Sequence, residues 1–407
     1  MLASSLSREV RRAGIPLDSL TPLGSLRRYA PDIGDVSLFG VAPPAQHQHI
    51  LDALAALPST TDVTTRDQSS ITVATHRGPA RVLLSAPETA GSRLLWLTGS
   101  RAHVELLRQR ADRLGVAFGP DVPAGTEDEI YRSLRLPFIP PELREGADEI
   151  DAAERHALPA LVMVSHIRGD LHMHSTWSDG RDTIEGMMAA SQQLGYEYVA
   201  LTDHSERAGA SRTLHADSID AQRRELDGVR RQFPKLDILH GVEVDIMPDG
   251  TLDFDNELLA GFDIVLASLH DHAGQGPAEL LDRYLRAIDN PFVSIITHPA
   301  NRSPANSAGY EIDYDALFAA AAATGTALEI DGAPGHLDMD GLLARRALAA
   351  GVTLVIDSDC HRSEALARQM RFGVGTARRG WVEPRHVLNT RSAADVRAFV
   401  ARKRAHI

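Results

Sequence analysis

The sequence predicts an α/β protein in which a parallel, barrel-like array of seven strand–helix units follows a smaller α+β region. Three observations carry this expectation. From about residue 165 onward, short apolar runs alternate with amphipathic helical stretches, the pattern of a parallel sheet buried on both faces. The polar residues of that part fall at the ends of the runs, where parallel α/β barrels assemble their sites. Residues 1–150 show neither feature. An open, doubly wound sheet is the competing architecture.

The expected strands are DLHMH (170–174), YVALT (198–202), DILHGVEV (237–244), DIVLASLH (263–270), FVSIITH (292–298), TALEI (326–330) and VTLVID (352–357). Helices are expected at TIEGMMAASQQLG (183–195), AELLDRYLRAID (278–289) and GLLARRALAAG (341–351), among others. The front part opens with a helical segment, continues through GSLRR and GDVSLFG as a turn and strand, and carries a helix at SRAHVELLRQRADRLG (100–115). LPFIPPELREG (136–146) is interrupted by prolines and reads as linker-like.

A chain of 407 residues is too long for one ordinary core, and 43% hydrophobic with 24% charged residues describes a folded protein. The net charge of −13 argues against gripping DNA by bulk charge. Residues 1–150 are nearly balanced, so most of the acidic excess lies in the second part. One cysteine, Cys360, excludes an internal disulfide and a Cys-rich zinc site. The N-terminal residues lack the apolar core of a signal peptide, and no apolar run reaches the ~18 residues of a membrane span, so a cytoplasmic location is expected.

The 18 histidines are the outstanding number. His172 and His174 alternate on the first strand and face the same way. Asp179 follows in WSDG, His204 in LTDHS, Glu243 in GVEVD, His270 in SLH and His298 in THP; Asp359 and His361 flank Cys360 after the last strand. Nearly every strand delivers an imidazole or carboxylate near its C-terminal end. Six histidines and three carboxylates converging on one mouth form the donor set of a multinuclear divalent site. Imidazole suits zinc, iron and manganese, and the carboxylates favour manganese. His47 and His49 share the local spacing but lack carboxylate partners and read as a solvated segment; His166, His215, His240, His272 and His386 fit no strand-end pattern.

DLHMHSTWSDG, LTDHS, GVEVDI, SLH, THP and DSDCH resemble the successive motifs of the PHP (polymerase and histidinol phosphatase) superfamily. The resemblance is closest to the PHP domain at the C-terminus of bacterial family X DNA polymerases, and GTARRGWVEPRHVLNT shares it. It implies a distorted, TIM-like (β/α)7 barrel over 165–407 with a trinuclear site. His172, His174, Glu243 and Asp359 would hold one ion. Glu243 would bridge to a second ion held with His270 and His298. Asp179, His204 and His361 would hold the third. Three divalent ions would leave a positive surplus over three carboxylates, which suits a phosphate, with a hydroxide on metal as nucleophile, Glu243 and Asp359 at the catalytic centre, and manganese the expected ion ahead of zinc or iron. One departure stands out: His336, in EIDGAPGHLD, occupies a place where relatives tend to carry a phosphate-gripping arginine, and Arg302 in HPANR is the expected substitute.

GSLRR (24–28), GDVSLFG (34–40), WLTGSRAHVELLRQRA (96–111) and EDEIYRSLRLPFIPPELREG (127–146) resemble the palm and thumb of the same polymerases. That gives a palm-like domain at 1–90, nucleotidyltransferase-like, and a thumb-like region with linker at 91–150. A palm needs three carboxylates for its two magnesium ions. Here the first pair reads Asp35 and Ser37, and the third place falls at Arg81. Arg27 and Arg28 are either phosphate contacts or a solvated pair. The expected function is 3′–5′ exonuclease or 3′-phosphatase action on DNA 3′ ends, with polymerase activity lost. The alternatives are a small-molecule phosphatase acting on a substrate such as histidinol phosphate, and a non-catalytic DNA-end or protein-binding module with structural metals. Oligomeric state stays open.

Overall fold

The computed structural model describes residues 2–303 and 309–405, so the outermost ends of the expected ranges, residues 1 and 407, lie outside the described residues. The chain divides into two units, Met1–Leu158 and Pro159–Ile407.

The front unit holds a five-stranded sheet of β1 (Thr21–Pro22), β2 (Ser37–Val41), β3 (Thr60–Arg66), β4 (Ser70–Thr75) and β5 (Ala80–Ser85) in the order β1-β2-β5-β4-β3. β2 and β5 run parallel and place Ser37 directly opposite Arg81, while the Ser37 hydroxyl donates to Asp35 Oδ2. Three expectations are corrected here. The helix Pro44–Ala55 buries His47 with Ile50, Leu51 and Leu54, because they share one face of the helical repeat; His47 Nε2 lies 2.9 Å from the Ala42 carbonyl, and only His49 of the pair is exposed. Residues 136–146 are no linker: Leu136, Ile139, Leu143 and Arg144 are all buried. Arg144 is drawn in by Glu127, 2.5 Å away, and by the faces of Tyr131 and Phe138. The same Glu127 accepts both Arg27 Nη atoms at 2.7 and 2.8 Å, and Arg28 Nε donates to Glu145 at 2.6 Å. Both arginines are therefore spent on the unit's own interior, neither solvated nor offered to a phosphate.

The second unit contains seven parallel strands, each hydrogen-bonded to its sequence neighbour: β6 (Gly169–Asp170), β7 (Tyr198–Leu201), β8 (Asp237–Asp245), β9 (Ile264–Ser268), β10 (Val293–Ile296), β11 (Ala327–Asp331) and β12 (Leu354–Asp357). The array is a nearly closed barrel, with helices such as Ile184–Gln193, Pro277–Asp289 and Gly341–Ala349 covering it. β6 is the shortest, since the chain leaves the ladder at Leu171 instead of pairing through His174 as expected.

Alternation divides the strand residues. Leu239, Ile264, Leu266, Ile295, Ala327 and Val355 cluster with Val396, Phe399 and Val400 of the C-terminal helix Ala393–Arg404, which closes one end of the barrel. Val242, Val244, Val265, Ala267, Leu328, Ile330, Leu354 and Ile356 pack the opposite strand face under the helices. Further along the first face come Glu243, Glu329 and Asp357, each on the register of an apolar residue earlier in its strand.

β6 and β12 meet through a single parallel bridge, Met173 to Cys360, extended by the His174 N–H donating to the Cys360 carbonyl at 3.0 Å. Side chains complete the seam. The Leu171 N–H donates to Asp357 Oδ1 at 2.8 Å, and the Ser358 N–H donates to Asp170 Oδ1 at 3.2 Å. Asn389 wedges in from the C-terminal segment: its Nδ2 donates to the Gly169 carbonyl at 2.9 Å and the Ile356 carbonyl at 2.6 Å, while its Oδ1 accepts from the Ile356 N–H at 3.1 Å. Replacing Asn389 by Leu strands these buried backbone groups. Denaturant unfolding of the N389L protein is expected to show a loss of about 3 kcal/mol; unchanged stability would mean the seam does not depend on Asn389.

Candidate metal centre

At the C-terminal ends of the strands the nine expected donors come together. His174, Asp179, His204 and His361 each offer a donor atom, all within 4.8 Å of one another; so do His172, His174 and Asp359, and so do His204, Glu243 and His270. His298 stands outside these three groups but joins the cluster through Glu243, its Nε2 lying 3.1 Å from Glu243 Oε1. Glu243 is the hub: its Oε2 lies 2.8 Å from His204 Nδ1, 3.3 Å from His172 Nε2 and 3.6 Å from His174 Nε2.

The donors are crowded in a way that protein hydrogen bonds do not satisfy. Glu243 Oε2, His204 Nδ1, His174 Nδ1, His298 Nδ1 and Asp179 Oδ1 are buried and have no aligned hydrogen-bond partner. His172 Nε2 and His174 Nε2 face one another at 3.2 Å, two ring nitrogens of which at most one can donate. Lone pairs of imidazole and carboxylate converging on one mouth are what a cluster of divalent cations satisfies, and the donor set fits a polynuclear metal site.

Electrostatics agree with the crowding. Burial alone would raise Glu243, yet His204 and His172 hold it well below the usual carboxylate range. Burial opposes the charge on His172 as well, and Glu329, Glu243 and Asp359 together raise it well above an ordinary imidazole. His174 is lowered to about 3 by burial and by His361 and His204.

Residues that sequence reasoning did not single out hold the donors in place. Glu329 Oε1 lies 2.7 Å from His172 Nδ1, while its Oε2 accepts the His298 N–H at 2.7 Å. Asp245 Oδ1 lies 2.9 Å from His270 Nδ1. Asp203 accepts from the Ser175 N–H and hydroxyl (2.7 and 2.8 Å), the Ser178 hydroxyl (2.6 Å) and Gln222 Nε2 (2.7 Å), fixing the turn that presents Asp179. A Cβ at Gly180 would come within 2.5 Å of the Ser175 carbonyl oxygen, so only glycine lets that turn close. Asp203 adjoins His204 and Asp245 alternates with Glu243 in the motifs, which was the available signal; Glu329, inside TALEI, has no such donor beside it.

His298 (φ 26°) and Asp359 (φ 47°) have left-handed backbones, a conformation that residues with a Cβ adopt at a cost. Asp338 steadies the loop after His298, accepting the Ala300 and Arg302 N–H groups at 3.2 and 3.1 Å. Arg302 thus sits on a tethered loop. His336 stacks on His298, ring centroids 5.0 Å apart. Cys360 is fully buried, its thiol pushed up to about 12 by burial, as befits a packing residue. Beside Asp179 and His361 an open cleft is lined by Arg181, Asp182, Arg362, Ser363 and Glu364.

A family model described as the PHP domain matches residues 170–326. Along both units, the chain is 37% identical over 393 residues to the DNA polymerase/3'-5' exonuclease PolX of Bacillus subtilis (strain 168), covering 93% of this chain and 68% of that protein. Over 209 residues it is 33% identical to a probable phosphatase of Syntrophotalea carbinolica, covering 49% of this chain and 82% of the other. Among solved structures, histidinol phosphate phosphatase from Lactococcus lactis, complexed with zinc, L-histidinol and phosphate, is similar at a TM-score of 0.40 and 18% identity, covering 50% of this chain and 90% of that one. Among the described residues no helix is long and apolar enough to cross a membrane.

Glu329→Gln keeps the shape of the His172 support and weakens its acceptor. Manganese affinity, measured by calorimetric titration, is expected to fall about 10- to 100-fold; an unchanged affinity would make Glu329 a packing residue only.

Proposed function

The chain belongs to the PHP family, on the branch joined to bacterial family X DNA polymerases, and from that premise we propose a metal-dependent phosphoesterase that trims DNA 3′ ends as a 3′–5′ exonuclease or 3′-phosphatase and does not polymerise. The observation that carries the reading is the convergence of nine donor side chains on one barrel mouth with buried, unpartnered lone pairs among them.

In this reading His172, His174, Glu243 and Asp359 hold one ion, Glu243 with His270 and His298 a second, and Asp179, His204 and His361 a third. Divalent ions, manganese first and zinc or iron after it, supply Lewis acidity: they ease the ionisation of water near neutral pH and offset the charge of the phosphate. The protein's part is placement. Glu329 and Asp245 fix the ring planes of His172 and His270, and Asp203 fixes the Asp179 turn. Arg181 and Arg362, lining the cleft, Arg212, whose Nη2 donates to the Gly180 carbonyl at 3.1 Å, and Arg302, on its tethered loop, are candidates for contact with a phosphodiester strand. A few arginines at the rim of an acidic chain favour contact with the end of a strand over bulk binding.

Loss of polymerisation rests on β2 and β5. Asp35 is the one acid at the three expected positions, Ser37 is tied to it, and Arg81 stands opposite Ser37, so one carboxylate offset by one guanidinium offers too little negative charge and too few oxygen ligands for the two magnesium ions that the reaction needs. A small-molecule phosphatase is the second reading, favoured by the match of about half of this chain to 82% of the probable phosphatase.

The deciding experiment compares manganese-loaded protein on an internally labelled single-stranded oligonucleotide, on one bearing a 3′-phosphate, and on histidinol phosphate. Stepwise shortening or 3′-phosphate release is expected, reduced at least about 100-fold by His172→Ala; phosphate from histidinol phosphate alone would replace the DNA reading with the second one. No turnover of any of the three would leave a binding module with structural metals. Template-directed incorporation of a deoxynucleotide by the same preparation would refute the loss of polymerase activity.

A further inference from the structure

One more set of donors lies at the mouth, and two of its three members serve none of the three ions above. Asp331 at the end of β11, His336 in the following loop and Asp359 each offer a donor atom, all within 4.8 Å of one another. Asp331 is fully buried. One of its oxygens accepts the Ala333 N–H at 2.6 Å, and the other, Oδ2, has no hydrogen-bond partner. His336 Nδ1 is also buried and unpartnered. The ring is held flat against His298, with 21° between the planes, so its orientation is set by packing and not by a hydrogen bond.

We propose that Asp331, His336 and Asp359 form a fourth divalent-cation position, adjoining the three-ion cluster and joined to it through the shared Asp359. Two carboxylates and one imidazole are a donor set that manganese, zinc and iron all accept, and three protein ligands leave coordination places open to water or a substrate oxygen. Asp359 Oδ1 lies 3.1 Å from His174 Nε2, so Asp359 would be shared between the first and fourth positions, as Glu243 would be between the first and second. An ion held there would supply one more cationic anchor for a phosphate oxygen.

The proposal rests on the three-ion reading, and metal counting separates the two. Full-length protein is saturated with manganese chloride, passed through a desalting column, and its manganese per chain measured by plasma mass spectrometry. Asp331→Asn removes the charge at constant shape. His336→Phe keeps the ring against His298 and removes the nitrogen. His361→Ala reports on the third ion of the three-ion reading. Wild type is expected to retain four ions, D331N and H336F three each, and the D331N/H336F pair also three, because both residues serve one ion. H361A is expected to lose an ion independently, leaving two when combined with D331N. Equal retention by wild type, D331N and H336F would overturn the fourth position, while a loss in H361A would keep the three-ion reading standing. A fall from three ions to two in D331N would overturn it as well, showing Asp331 to be a ligand of one of the three. No loss in H361A would count against the three-ion reading instead. Should D331N fail to fold by circular dichroism, H336F alone carries the comparison.

Discussion

A parallel barrel must close where its first strand meets its last, and in this chain the backbone alone does not close it. β6 is two residues long and reaches β12 through one bridge. Asp170, Asp357 and Asn389 take over the role of the missing ladder, offering side-chain oxygens and an amide to backbone groups on both sides. Everything at the mouth depends on that seam. His172 and His174 leave from one side of it, Asp359 and His361 from the other, and only its closure makes one cluster of the two pairs. Burial pushes Asp170 up to about 6 and, together with Asp170, raises Asp357 as well. One oxygen of Asp170 and one of Asp357 pair with backbone N–H groups across the seam, while the second oxygen of each is buried without a partner.

The barrel sorts its inward side chains by depth. On β8, Leu239 contributes to the apolar cluster and Glu243, two alternations later, to the donor hub. β11 repeats the change with Ala327 and Glu329, and β12 with Val355 and Asp357. Because the period is two, one strand supplies packing and chemistry on the same face without a kink. The departures from regular backbone come just past the strand ends, at His298 and Asp359, where Glu329 and the seam over-determine the chain locally.

The nine donors were legible because strand alternation and strand ends locate them, and because imidazole in such places is uncommon. Glu329 was not, since one acid inside TALEI reads as part of a strand until His172 is seen 2.7 Å away. Asp331 escaped for the same reason, and its partner His336 was noticed only as a departure from an expected arginine. The front unit hid more. Nothing local in PPAQHQHI distinguishes a helix with one buried histidine from a solvated turn, and the prolines of 136–146 conceal four buried side chains, among them Arg144, which Glu127 draws in. Arg27 and Arg28 looked like surface charges for want of any sign that Glu127 and Glu145 would meet them. Pairings of high sequence separation leave no periodic trace.

The closed end of the barrel sets a rule for traffic. Val396, Phe399 and Val400 seal the floor against Leu239, Leu266 and Val355, so the cluster is reached from the open rim alone. A polymer cannot pass through such a blind cup. It can only dip an end into it, and whatever is released must leave by the way the polymer came. On the proposed reading of a DNA end as substrate, the cut piece and the shortened remainder would share one exit, and a chain with no free end would have nothing to offer the floor of the cup.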